Sequence, residues 1–336
     1  MATMQEIANA AGVSKSTVSR TLREDPTLSI TEATRDKIFS AARAAGYQIR
    51  KDRMLSELRT IAVIHKDTHF INQLDNAFYF SLRYGIEKTC LAEKVHCGFY
   101  PESFVAQIPL QQLDGVILMG NFEQAQQLAL LAPLCKKVPG VFIGKINYLQ
   151  EDTDWITYDV RRCVEKALDH FCGKGLCQLL YIGGRDVPGT PPEYSKLYQF
   201  RSYLSAHPQL RCVDMIEGEH GTESGYRMAK AWFEKHPITA ETGPDAIFVS
   251  NDPIAFGVLR ALNELGIQIP QRVSVISING DGPGAETAPP LTTVDIHTMD
   301  MGVEAVHCLM ETMAGERKVP KKVMFSPVLR VRGSSR

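Results

Sequence analysis

Residues 3–22, TMQEIANAAGVSKSTVSRTL, constrain this chain more than any other stretch. They read as two short helices joined by a tight turn. Thr3 is placed to cap the first helix, and Glu6, three residues on, completes a capping-box spacing. Met4, Ile7, Ala8 and Ala11 fall on one narrow apolar face. Gly12 stands where a helix end needs a residue tolerant of positive φ. Ser14 is placed to cap the second helix, with Val18 and Leu22 as its buried stripe. Its other face carries Lys15, Ser16, Thr17, Ser19, Arg20 and Arg23, a short cationic surface without a carboxylate. Those donors suit phosphate oxygens and base edges, and Arg20 has the fork for a two-pronged contact to guanine. Thr3, Thr31 and Thr34 are counted with this face as hydroxyls available to DNA. The competing reading is a solvated surface hairpin.

Charge is informative once it is divided. The 336 residues carry a net charge of −1, yet residues 1–60 hold ten Lys/Arg against seven Asp/Glu. A basic headpiece on an acidic body is the asymmetry expected when only the headpiece meets phosphate. No apolar run is long enough for a membrane span, and the start, MATMQEIANA, lacks the basic and apolar regions of a secretory signal. A cytoplasmic location is expected. The eight cysteines are scattered without a CxxC pair and read as reduced thiols, with no metal or cofactor implied.

A third helix is expected over 31–45, with Thr31 as its cap and Ile38, Ala41, Ala42 and Ala45 turned inward. Three such helices bury little surface, so the unit should be marginal alone. Residues 48–60 form a charged linker able to become helical. From Ile61 short apolar runs (61–64, 95–99, 115–119, 141–143, 156–158) alternate with helical stretches at 78–92, 123–131 and 161–172. A second series follows, with strands at 178–182, 213–216, 246–250 and 273–278 and helices at 196–206, 224–235 and 254–265. A last helix is expected at 301–313. Buried strands alternating with helices imply parallel sheets covered on both faces, and two series in tandem imply two similar lobes. The domains expected are thus 1–47, 48–60 and 61–336.

The runs Gln5-Glu6-Ile7-Ala8, Ala11-Gly12-Val13-Ser14 and Thr17-Val18-Ser19-Arg20 resemble the helix-turn-helix of the LacI/GalR family of transcription repressors. The body carries pieces of the same kind: Asp245-Ala246-Ile247-Phe248 leading to Asn251-Asp252, Gly266-Ile267-Gln268-Ile269-Pro270, and Pro289-Pro290-Leu291-Thr292-Thr293-Val294. The resemblance covers nearly the whole chain. It implies an α/β body with a two-lobed periplasmic-binding-protein-like fold, three crossovers between lobes and a ligand in the cleft. It further implies a homodimeric repressor of operator DNA, controlled by a small sugar, a galactoside above all. The linker of the family inserts a leucine into the minor groove, and Leu55 is the candidate here. The linker departs from the family pattern, lacking its Pro-Asn and Ala-Arg pieces, so a plain charged linker is the alternative.

Ligands of open parallel sheets bind beyond the carboxyl ends of strands. Asn251 and Asp252 follow the strand 246–250, Asn279 follows 273–278, and Asp159 follows 156–158. Each can meet sugar hydroxyls, or serve as a helix cap or turn residue. Lys196 stands where relatives place an arginine, and lacks the planar fork. His220 stands where relatives often place a stacking aromatic, and Asn279 where many carry Asp. An exposed loop is the alternative for Lys196 and His220. Tyr79, in Phe78-Tyr79-Phe80, is a candidate for stacking on the ligand, with core packing expected for the other two. A transport receptor of the same fold and a sugar enzyme are the competing functions. The first lacks an export signal, and the second lacks any GxxxxGK[ST], GxSxG or HExxH motif.

Overall fold

The computed structural model describes residues 3–22, 28, 30–45, 59–67, 74–108, 112–120, 131, 134–145, 153–239 and 242–336. Arg23, Leu55, almost all of the 48–60 linker and all of the expected 123–131 helix but Leu131 lie outside the described residues. The chain divides into two compact units, one ending at Arg59 and one starting at Thr60, with residues 94–96 grouped with the first.

The first unit holds α1 (Met4–Ala11), α2 (Lys15–Leu22) and α3 (Glu32–Ala44). Thr3 and Glu6 form the capping box, and Gly12 takes φ 68° and closes α1 with its N–H on Ala8 and Asn9 carbonyls. Ser14 accepts from the Thr17 N–H at 3.1 Å and so caps α2. Ile7, Ala8, Val18, Leu22, Ile38 and Ala42 make the core, with Ala11, Val13 and Phe39 packed against it. Ala45 is exposed, a correction to its expected inward place: α3 ends one residue earlier, so its side chain leaves the helical stripe. Thr21 is buried despite its hydroxyl, because Oγ1 donates to the Thr17 carbonyl at 2.8 Å.

The second unit is two sheets with helices against them. Its elements in chain order are β1 (Thr60–His65), α4 (Ala77–Ala92), β2 (His96–Pro101), β3 (Gly115–Met119), β4 (Gly140–Ile143), β5 (Asp154–Tyr158), α5 (Val160–Gly173), β6 (Gln178–Gly184), α6 (Lys196–Ala206) and β7 (Arg211–Gly218). They continue with α7 (Thr222–Lys235), β8 (Ala246–Val249), α8 (Asp252–Glu264), β9 (Ser274–Asn279), β10 (Thr292–Asp295), α9 (Thr298–Met313), β11 (Lys322–Phe325) and β12 (Val328–Arg330). The first sheet has the order β11-β5-β4-β3-β1-β2 and the second β12-β10-β9-β8-β6-β7. The chain changes sheet after β5, between β10 and the first-lobe helix α9, and between β11 and β12. Those are the three crossovers that the family resemblance implied.

β3 and β4 are buried at every position, as are β8 and β9, which is what lets helices cover both faces. Each fully buried aliphatic side chain there contributes about 1.5–3 kcal/mol. The sheets are not wholly parallel, as the sequence reading had them. β12 pairs antiparallel with β10, because the chain crosses from β11 in the first sheet and starts β12 opposite Asp295, where β10 ends. On the first lobe α4 and α9 touch at backbone distance. A Cβ at Gly85 would lie 2.2 Å from the Met299 carbonyl oxygen, and one at Gly302 2.3 Å from that of Leu82.

Candidate functional site

Two surfaces bear chemistry. In the first unit α2 turns Val18, Thr21 and Leu22 inward and leaves Ser14, Lys15, Ser16 and Arg20 exposed, with Thr17 and Ser19 half-buried. The hydroxyls form a set: Ser14 Oγ lies 2.8 Å from both Ser16 Oγ and Thr17 Oγ1. Thr31 caps α3, accepting from the Thr34 N–H at 3.3 Å, and their hydroxyls lie 2.8 Å apart. One face of α2 is therefore core and the other an array of donors with two cations.

In the second unit a cleft of about 420 Å³ separates the sheets at the carboxyl ends of β1, β3–β6, β8 and β9. Tyr79, Lys196, His220, Asn251 and Asn279 line it, as expected from the sequence; Phe78 also reaches it, whereas Phe80 does not. Sequence reasoning missed Asp75, Lys145, Tyr158 and Asp186, which line it as well. Asp75 and Lys145 sit in loops without periodicity, and their role depends on which residue faces them from the other lobe.

Lys196 begins α6, and its Nζ donates to the Ser250 carbonyl at 2.6 Å with the Tyr158 ring 6.0 Å away. Burial, reinforced by the charge of Lys145, pushes its ammonium down to about 8. His220 lies against Gly184, where a Cβ would come within 2.3 Å of the ring. Its Nδ1 is 3.2 Å from Asn251 Nδ2. The ring remains open to the cleft, yet the protein around it desolvates the cation, and Lys196 and Lys145 repel it, so its pKa falls below the ordinary value. Asn251 caps α8 through Oδ1, which accepts from the Ile254 N–H at 3.0 Å. Its amide thus takes both roles weighed from the sequence: cap and cleft wall.

Two carboxylates offered as hydroxyl acceptors stand elsewhere. Asp159 caps α5, accepting from the Arg162 N–H at 3.0 Å, and does not line the cleft. Asp252 is fully buried behind the wall, where it accepts from Ser277 Oγ, from Thr293 Oγ1 at 2.7 Å and from the Asp281 N–H at 2.7 Å. It ties the ends of β9 and β10 to the start of α8, and its oxygens are occupied by protein donors.

The two lobes are clasped across the cleft. Asp75 Oδ1, from the β1–α4 loop, accepts from Thr222 N–H at 2.7 Å and Thr222 Oγ1 at 2.6 Å at the start of α7. Lys145 pairs with Asp186 at 2.8 Å. Among the described residues no group of three or more His, Cys, Asp or Glu is arranged to hold a metal ion. No described helix is long and apolar enough to cross a membrane. None of the eight cysteines is in a disulfide.

A helix-turn-helix unit followed by two parallel-sheet lobes around a polar cleft defines a DNA-binding protein with a ligand-binding body. Comparison with known proteins supplies the family. Residues 3–49 match the bacterial regulatory proteins of the lacI family, and residues 168–335 match the periplasmic binding protein-like domain. The chain is 32% identical over 338 residues to the HTH-type transcriptional regulator GalR of Lacticaseibacillus casei, covering all of both chains. It is 32% identical to the HTH-type transcriptional regulator GanR of Bacillus subtilis strain 168, covering 99% of each. Among solved structures it shares its fold with a Lac repressor dimer bound to operator and the anti-inducer ONPF, at TM-score 0.71, 20% identity and 99% coverage of each chain. A CelR–cellobiose complex aligns at TM-score 0.70 and 21% identity, with full coverage of both. The chain belongs to the LacI family: it is a DNA-binding transcription regulator and not an enzyme.

Proposed function

We propose that this regulator represses transcription as a homodimer bound to operator DNA, and that a small sugar in the interlobe cleft, a galactoside in particular, releases it. The observation that carries the reading is the pairing of an exposed donor face on α2 with a polar cleft walled by amides, Lys196 and aromatic rings. Relatives named GalR and GanR, and a fold neighbour solved as a complex with cellobiose, support a sugar as the effector.

Lys15, Ser16, Thr17, Ser19, Arg20 and Arg23 are assigned to base edges and phosphates, with Thr3, Ser14, Thr31 and Thr34 anchoring the backbone. One short helix reads few bases, so two headpieces on a pseudo-palindrome double the contacts. Leu55, in the linker 48–60 between a headpiece of 1–47 and a body of 61–336, is assigned to the minor groove. Tyr79, Lys196, His220, Asn251 and Asn279 are assigned to the sugar. The protein acts in the cytoplasm, on the nucleoid when bound. Release requires that the sugar prefer one arrangement of the lobes, and a coupling of about 1–3 kcal/mol is typical of such systems.

The test titrates the full chain onto an operator selected from a random DNA pool, with and without galactose, lactose, melibiose and cellobiose. The expected result is an affinity for DNA lowered about 5–150-fold by at least one sugar. DNA binding that no sugar changes would remove induction and leave the DNA-binding assignment standing.

A further inference from the structure

Asn279 is the last residue of β9, lines the cleft, and is only 8% exposed. A side-chain amide offers a ligand either a donor or an acceptor, depending on which way it is turned. The chain beyond it fixes that choice. Asn279 takes φ 148° and Gly280 φ 81°, a tight reversal that brings Asp281 back beneath the amide. Gly280 is required there, since a Cβ would sit 2.8 Å from Asp295. Asp281 is 2% exposed, and its own N–H is held on Asp252 Oδ2 at 2.7 Å. Asn279 Nδ2 donates to Asp281 Oδ2 at 2.9 Å. With Nδ2 held inward, Asn279 Oδ1 has no donor among the described residues, and Asn279 itself forms part of the cleft wall.

We infer that Asp281 is a specificity-determining positioning residue, which locks the Asn279 amide so that the cleft presents a hydrogen-bond acceptor at this place and selects a ligand hydroxyl that donates to it. This deepens the reading of the cleft as a sugar site and rests on it. Asp281 Oδ1 is buried with no hydrogen-bond partner among the described residues. An uncompensated carboxylate there would be costly. Burial and the neighbouring Asp252 push Asp281 up to about 8, and the hydrogen bond from the Asn279 amide works against them by favouring the acceptor-only carboxylate. The selection follows from an asymmetry: a hydroxyl can donate to Oδ1, whereas a fluorine in its place cannot and leaves the acceptor unpaired.

The experiment measures binding of D-galactose and its 2-, 3-, 4- and 6-deoxyfluoro derivatives to the full chain by calorimetry. Wild type is compared with D281A and with D281L, which fills the same space without an acceptor. In wild type one fluoro sugar is expected to bind about tenfold or more weakly than galactose. That penalty should shrink to about threefold or less in whichever of D281A and D281L folds, because the freed amide can then turn its NH2 to the fluorine. An undiminished penalty in the alanine or leucine variant would overturn the assignment and leave the sugar site intact. A wild-type chain that binds galactose but shows no fluoro penalty would do the same. Binding of none of these sugars to wild type would overturn the galactoside reading itself, and this assignment with it.

Discussion

Asp252 and Asp281 set an electrostatic condition on the wall of the cleft. Desolvation is the main cause in each: it pushes Asp252 up to about 6 and Asp281 up to about 8, against the hydrogen bonds that hold them. The folded chain therefore keeps protons that the unfolded chain gives up near the ordinary carboxylate range. Stability from this pair is full below about pH 4 and is lost as pH rises toward 8. Asp281→Asn cannot ionise, so its melting temperature should fall less than that of wild type between pH 5 and 8. Calorimetric scans would show the gap widening with pH, by about 1–2 °C for each kcal/mol recovered in a chain of this size; parallel curves would refute the coupling. Lys196 poses the opposite case, a desolvated cation held by one carbonyl and an aromatic ring. Lys196→Met should leave the melting temperature at pH 7 unchanged or raised, while the sugar that releases wild type from operator should bind about 10–100-fold more weakly, the range of a charge-assisted bond. Unchanged sugar affinity would place Lys196 outside the binding set.

Among the elements, α2 and the pair α7–α8 divide the functions. The polar side of α2 was legible in the sequence because one helix turn fixes which residues are neighbours. Arg20→Ala should cost about 1–3 kcal/mol on the selected operator and relax sequence preference at one position of each half-site. Lys15→Ala should weaken all sequences alike and reduce the salt slope by about one. Fluorescence anisotropy across a salt series separates them, and equal loss on specific and random DNA for Arg20→Ala would count against base contact. α7 and α8 cross at backbone distance: a Cβ on Gly225 would lie 2.1 Å from the Ile254 carbonyl oxygen, and one on Gly257 1.9 Å from that of Thr222. Gly257→Ala should therefore destabilise the chain by about 1–3 kcal/mol or more, since the helices must separate. Urea denaturation would measure it, and a neutral result would mean that the contact is not tight. The alternation of strands and helices was legible for the same local reason as α2, as were Asn251 and Asn279 at strand ends. Asp252 and Asp159 were misplaced because a carboxylate after a strand looks the same from sequence whether it faces the cleft or caps the next helix. Only the register of Ser277, Thr293 and the Asp281 N–H shows that Asp252 faces inward.

At the scale of the two-lobed body, the residues invisible to sequence reading are those defined by their partner across the cleft. Asp75 is the sharpest example. As the first residue of α7, Thr222 has an N–H with no acceptor in its own helix. Asp75 supplies one from the other lobe, and takes the Thr222 hydroxyl as well. A carboxylate at a helix start also meets the positive end of the helix dipole. These terms stabilise the closed arrangement only while the lobes are together, so they bias the equilibrium that a ligand must act upon. A charge-assisted bond contributes about 1.5–3 kcal/mol, and Lys145–Asp186, with both side chains mostly buried, adds to it. Asp75→Ala should therefore shift the body toward an open cleft without unfolding either sheet, since Asp75 belongs to no strand or helix. Hydrogen exchange followed by mass spectrometry should show faster exchange at the start of α7, by about 10–100-fold, with β3 and β8 unchanged. Any sugar that prefers the closed lobes should lose affinity by a similar factor, because it must now supply the closure energy itself. Unchanged exchange at Thr222 would mean that the clasp contributes nothing to closure, and that the polar groups of the cleft wall set the equilibrium alone.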